Sequence, residues 1–189
     1  MIISRNSSEA DSYYQLARAG QVFVATAALT GMTAFGTAAA TGGPLLWNNT
    51  GQAAGGTSKV LAVILGVSLG WTTAPAAAGV VGITWGTGQT SAPTSTTAIT
   101  GVGCTRPGAT QTPFCNVYNK GTVANAGVAF LATHEVDATA TAGITGGLIE
   151  PLDGLIIASP GDWVSVAAGA TISTMVAVIS LVWAELTFK

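Results

Sequence analysis

The stretch WVSVAAGATISTMVAVISLVWA, residues 163–184, contains no charged residue and constrains the fold more than any other part of the chain. Wound as a helix, its 22 residues would rise about 33 Å, roughly the hydrocarbon thickness of a bilayer. Its content argues for strands instead. Ser165, Gly169, Thr171, Ser173, Thr174 and Ser180 interrupt it, and it is rich in Val, Ile and Thr, whose branched Cβ suits a pleated surface. The small residues AAGA at 167–170 divide it into a short strand and a long one. On the long strand Ile172, Val176, Val178 and Val182 fall on one side, and Met175, Ala177, Ile179, Leu181 and Trp183 on the other. Two apolar faces are expected of a strand in a buried parallel sheet, or of a sandwich strand whose outer face meets a neighbouring subunit. On the second reading Met175, Ile179, Leu181 and Trp183 are the expected subunit contact.

Charge supports that reading. Only 7% of the 189 residues are charged, against about 25% in an ordinary soluble domain. Copies of such a chain have little electrostatic reason to stay apart, so self-association is expected; the alternative is that Thr, Ser and Gly alone keep a monomer soluble. The six basic residues are scattered and the net charge is −2, which leaves no footprint for direct nucleic-acid binding. The length suits one domain with a sizeable core.

Residues 1–20 read as a short N-terminal arm. No apolar run follows Arg5, so no Sec signal peptide is expected. Ser8 and Asp11 resemble a capping box, Gly20 is a suitable stop, and Tyr13, Leu16 and Ala17 share a helical face. The arm is therefore either a docked helix of about three turns or a frayed tail. Residues 21–189 form the domain proper. Short apolar or alternating runs punctuated by turn residues make it all-β, a sandwich or a closed barrel. The runs are QVFVATAAL, LLW, KVLAVILGVSLGW (central in a sheet), AAGVVGITWG, a single Thr-rich strand TSTTAITGVG, VDATATAGI and GLIIAS, with LDG and SPGD as turns before the C-terminal pair. Residues 123–135 fit a strand or a surface helix equally. Nothing repeats a strand, Gly-rich loop and long helix, which argues against a Rossmann or (β/α)₈ enzyme.

The segment LIEPLDGLIIASPGDWVSVAAGATISTMVAVISLVWAE, with its EPLDG turn, its PGDWVSV strand and its long last strand, resembles the final strands of small single jelly-roll proteins of bacteriophage particles. LLWNNTG and SKVLAVILGVSLG look like the early strand pair of the same fold. The resemblance implies a single jelly-roll β-sandwich acting as a capsid, head-decoration or spike component. It also implies a trimer or higher assembly with other capsid proteins, located in the virion and built in the host cytoplasm.

Few residues suggest chemistry. Cys104 and Cys115 have ten residues between them, a spacing that fits a disulfide stabilising by about 3 kcal/mol, two reduced thiols, or half of a zinc shell with the other half missing. His134, the only histidine, alternates with Glu135 and Asp137, so their side chains oppose one another on a strand. Glu150, Asp153 and Asp162 sit at turns, where accepting backbone N–H groups is their ordinary task; a Ca²⁺ site is the alternative. Trp47, Trp71, Trp85, Trp163 and Trp183 would make a glycan platform only if they converged at the surface, the mark of a carbohydrate-binding or adhesin module. Asn6 and Asn48 lie in glycosylation sequons. No catalytic set, metal site or cofactor is expected, and the function that fits best is assembly.

Overall fold

The computed structural model describes residues 7–35, 43–52, 59–73, 75–99, 101–125, 127, 129–136 and 148–187. One helix, α1 (Ser7–Arg18), precedes eleven strands. These are β1 (Val22–Met32), β2 (Leu45–Trp47), β3 (Val60–Thr73), β4 (Gly79–Gly86), β5 (Thr94–Ala98), β6 (Gly101–Cys104), β7 (Asn116–Thr122), β8 (Ala129–Val136), β9 (Leu148–Ala158), β10 (Trp163–Ala168) and β11 (Ile172–Thr187). The described part of the arm is helical, and the helix ends at the glycine its sequence offers. Gln21 N–H bonds Leu16 C=O and Gly20 N–H bonds Ala17 C=O, both at 3.0 Å, with Gly20 at φ 75°; this is the Schellman stop that glycine permits.

The strands form two antiparallel sheets, β6-β1-β11-β3-β9 and β5-β7-β2-β10-β4-β8. Setting aside β5, β6 and β7, the chain pairs its ends inward: β1 with β11, β2 with β10, β3 with β9, and β4 with β8. Cross-pairing of β11 with β3 and of β10 with β4 closes two four-stranded sheets. That order is the double Greek key of a jelly roll. The three remaining strands are an insertion between β4 and β8. They extend the first sheet beside β1 and the second beside β2.

The core lies between the sheets. Ala25 and Ala27 of β1 stand opposite Leu181 and Ile179 of β11, so small residues on one strand leave room for large ones on the next, while Phe23 stands opposite Trp183. The rings of Phe23 and Trp183 are 5.8 Å apart. Ile64, Leu69 and Trp71 of β3 continue this layer, and Val81, Ile83, Val164 and Val166 face it from the second sheet.

Several expectations change. TSTTAITGVG is two strands in different sheets, since β5 pairs with β7 and β6 with β1. The LDG segment is no turn between strands but a bulge within β9. Between the pairs Ile64–Ile156 and Gly66–Pro151, residues 152–155 stand opposite Leu65 alone, with Asp153 and Gly154 at φ 46° and 81°. From Ala129 on, the ambiguous segment is strand β8 on the edge of the second sheet, while most of VDATATAGI lies outside the described residues. SPGD is a tight turn: Asp162 N–H bonds Ser159 C=O at 2.9 Å, with Pro160 and then Gly161 (φ 91°) between them, the type II arrangement.

Candidate interaction surface

The sandwich treats its two outer faces differently. On the second sheet, Leu45, Trp47 and Trp163 point outward yet are buried, clustered with Val123 and Tyr118. Its own loops cover this face around β2 and β10. Trp47 Nε1–H bonds Gln89 C=O at 3.3 Å, and the buried Gln89 side chain accepts Ala124 N–H at 2.7 Å and donates to Ser91 C=O at 2.6 Å. Trp163 lies so close to β4 that a Cβ on Gly86 would stand 2.7 Å from its indole, which is why glycine occupies that position.

On the first sheet the outward, accessible positions of β1, β11 and β3 are Val24, Thr26, Ala28 and Thr30; Val176, Val178, Ser180 and Val182; and Leu61, Val63, Leu65, Ser68, Gly70 and Thr72. All are half-buried or exposed, and none is charged. Val178 is 40% exposed, and on neighbouring β9 Leu155 and Ile157 are 73% and 52% exposed. The four residues expected at a subunit contact, Met175, Ile179, Leu181 and Trp183, have no exposed surface at all. They fill the core of the single chain, so the expected faces of β11 are exchanged: the valine and serine side is the one a neighbour can reach.

At the end of β11 sits Glu185, 3% exposed. Its carboxylate accepts Phe114 N–H at 2.7 Å through Oε2, and Cys115 N–H at 3.0 Å and Trp183 Nε1–H at 3.1 Å through Oε1. This ties the loop before β7 to the core. The loop's other end is held by Thr105 N–H on Val22 C=O at 2.9 Å and by Arg106 Nη1 on Arg18 C=O at 3.0 Å, which caps α1. Cys104 and Cys115 are both free thiols, one half-buried and one buried; of the readings their spacing allows this is the reduced pair, and Glu185 anchors the loop between them. Burial pushes the Cys115 thiol far above its usual range, and the Glu185 charge and hydrogen bond push the same way.

The other candidates do not converge. Trp47, Trp163 and Trp183 are fully buried, Trp71 nearly so, and Trp85 packs against the core, so they build no surface platform. Among the described residues no three His, Cys, Asp or Glu side chains could share a metal ion. Asp162 accepts Ser159 N–H at 2.8 Å, as a turn aspartate should. Burial raises its carboxyl, and the bond from Ser159 opposes that. Asp153 lies in the β9 bulge; the side chains of His134 and Glu150, and all of Asn6 and Asp137, fall outside the described residues. Asn48 is no glycan acceptor. It is fully buried, donates to Val60 and Ala158 C=O at 2.8 Å each, and accepts the Thr50 hydroxyl at 2.6 Å. A polar cleft of about 490 Å³ opens beside β1 and β7, lined by Thr30, Thr97, Asn119, Lys120, Thr171 and Ser173. No described helix is long and apolar enough to cross a membrane. Sequence reasoning missed the roles of Glu185 and Asn48. A lone carboxylate closing an uncharged strand was the available sign of the first; nothing local marked the second.

No description of a known protein family matches the chain, and no curated protein does. Among solved structures, a chain of one described as "KBV activated particle at acidic pH" aligns over 88% of this chain and 70% of its own. The two are 10% identical, with a TM-score of 0.30. A superposition that loose carries no weight here, and the jelly-roll assignment rests on strand order.

Proposed function

We propose that this chain is a structural protein of a virus particle that works by self-association. In this reading it is a bacteriophage coat or head-decoration subunit, forming trimers or larger assemblies with its own kind and with other capsid proteins in the host cytoplasm. The uncharged, uncovered outer face of β1, β11 and β3 is the observation that carries the reading. Jelly rolls also serve as lectins and cupins, and fold alone decides nothing among these. A lectin of the aromatic kind needs exposed tryptophans, whereas these are packed inside. A shell subunit needs apolar area for its neighbours and little charge to repel them, and both are present. Sedimentation velocity at micromolar concentration, together with electron microscopy of particles from the native source, tests the proposal. Discrete oligomers in solution and the chain in a regular lattice are expected. A well-folded monomer across the concentration range, with particles lacking the chain, would overturn it.

A further inference from the structure

The strand register arranges the outer face of the first sheet in rows. Val24 pairs with Val182, whose β3 partner is Gly66 at a bulge next to half-buried Leu65, and one row further along, past the buried Ala184, lie Val63 and then Ile157 on β9. In the other direction comes a row of hydroxyls, Thr26, Ser180 and Ser68, with Thr26 Oγ1 and Ser180 Oγ 2.8 Å apart. Beyond it lie Ala28, Val178 and Gly70. The face therefore has a bulky aliphatic half, a polar midline, and a half in which Val178 stands between two small residues.

Each feature narrows what can cover it. With no charge at any outward position of these three strands, a charged partner surface would leave its ions desolvated and unpaired. The Thr26–Ser180 bond uses one hydroxyl hydrogen and leaves one donor and several lone pairs. A purely aliphatic partner would bury these unsatisfied, whereas an identical row would satisfy them. Resting on the self-association reading, we propose that the occupant is the same face of a second copy, docked about a two-fold axis running along the hydroxyl row. Rotation about that axis lays Ser180 against its counterpart and Thr26 against its own. It also places the Val24–Val182 half of each copy over the Ala28–Val178–Gly70 half of the other. An axis along the strands would instead stack the aliphatic half on itself and set Ala28 over Gly70, leaving a gap that close packing disfavours. The contact is isologous, as two-fold interfaces are, with the sheets about 10 Å apart as in a sandwich.

Single cysteines introduced on this face test the axis. In a Cys104→Ser, Cys115→Ala background shown to be folded by circular dichroism, Ser180→Cys and Thr26→Cys should each be joined to their own copies by a short bismaleimide. Val178→Cys and Val182→Cys lie about 13 Å apart along the strand. Each alone should cross-link at least tenfold more slowly than Ser180→Cys, whereas a mixture of the two should give the joined pair. Two independent midline positions guard against one variant failing to fold. If the parent protein sediments as an oligomer but Ser180→Cys and Thr26→Cys react no faster than Val178→Cys alone, this geometry is wrong and self-association stands. If the parent sediments as a monomer, the broader proposal fails with it.

Discussion

Glu185 closes a long uncharged run with a buried carboxylate, and burying a charge without a cation beside it is costly unless hydrogen bonds replace the lost water. Three N–H donors do so here, and hydrogen bonds to an ionised acceptor are about twice as strong as neutral ones. Glu185→Gln keeps the shape but turns an amide NH₂ toward at least one of these donors. We expect it to cost roughly 2–3 kcal/mol and to speed amide exchange at Phe114 and Cys115 in particular; hydrogen-exchange mass spectrometry that shows those amides as protected as before would reject the anchoring role. The neighbouring thiol supplies a pH dependence whose sign is fixed. The folded Cys115 is pushed up by burial and by Glu185, while in the unfolded chain it ionises near pH 8.5. Below that value both states keep the proton and this group gives no slope. Above it the unfolded state loses its proton first, so stability of the reduced protein falls by up to about 1.4 kcal/mol per pH unit. Urea melts between pH 7 and 10 should show the decline, and Cys115→Ala should remove most of it. Tyr118, also pushed up by burial, leaves a residual slope at the alkaline end. An unchanged slope in the alanine variant would mean that the thiol is not the group responsible.

Strand β11 shows how two apolar faces can differ in kind. Its inward side carries Met175, Ile179, Leu181 and Trp183, large residues that fill the space between sheets, while the outward side carries Val176, Val178, Ser180 and Val182. Ile179→Asp should therefore unfold the subunit, because a buried unpaired carboxylate is among the costliest substitutions. Val178→Asp should leave the far-ultraviolet spectrum and melting temperature nearly unchanged while abolishing oligomers in sedimentation. A Val178→Asp chain that still assembles would show that some other face is used. Much of this element was legible in the sequence. Its length, the preceding strand β10 and the break between them followed from β-branched residues and the AAGA interruption. Which face turned inward did not, since hydrophobicity alone scores both sides as apolar. The discriminating signs were side-chain volume and the lone Ser180 in the valine row. The splitting of the Thr-rich segment into β5 and β6 was hidden for a related reason. Two short strands in different sheets share one composition, and only pairing with β7 or β1 separates them. Likewise Asp153 and Gly154 carry turn chemistry whether the chain reverses or bulges, so the pattern at LDG could not choose between them.

At the scale of the whole molecule, the asymmetry between the outer faces matters more than any single site. One sheet is covered at its centre by the chain's own loops through Trp47, Trp163 and Gln89; the other leaves aliphatic side chains and hydroxyls open across its three inner strands. Association through such a face should be driven by removal of apolar surface from water, and its response to solution conditions follows from that. Ions screen charges over a Debye length, but this face offers none to screen, so raising sodium chloride from roughly 50 to 500 mM should change the dissociation constant by less than about threefold. Sulfate, which is excluded from protein surfaces, should tighten the assembly, and cooling should loosen it, because apolar burial weakens as temperature falls. Sedimentation equilibrium across salt type and temperature separates this from an ionic contact built on the few charged residues elsewhere on the surface. A tenfold weakening in sodium chloride, with no response to cooling, would place the interface on those charges and leave the open face of β1, β11 and β3 without the role assigned to it.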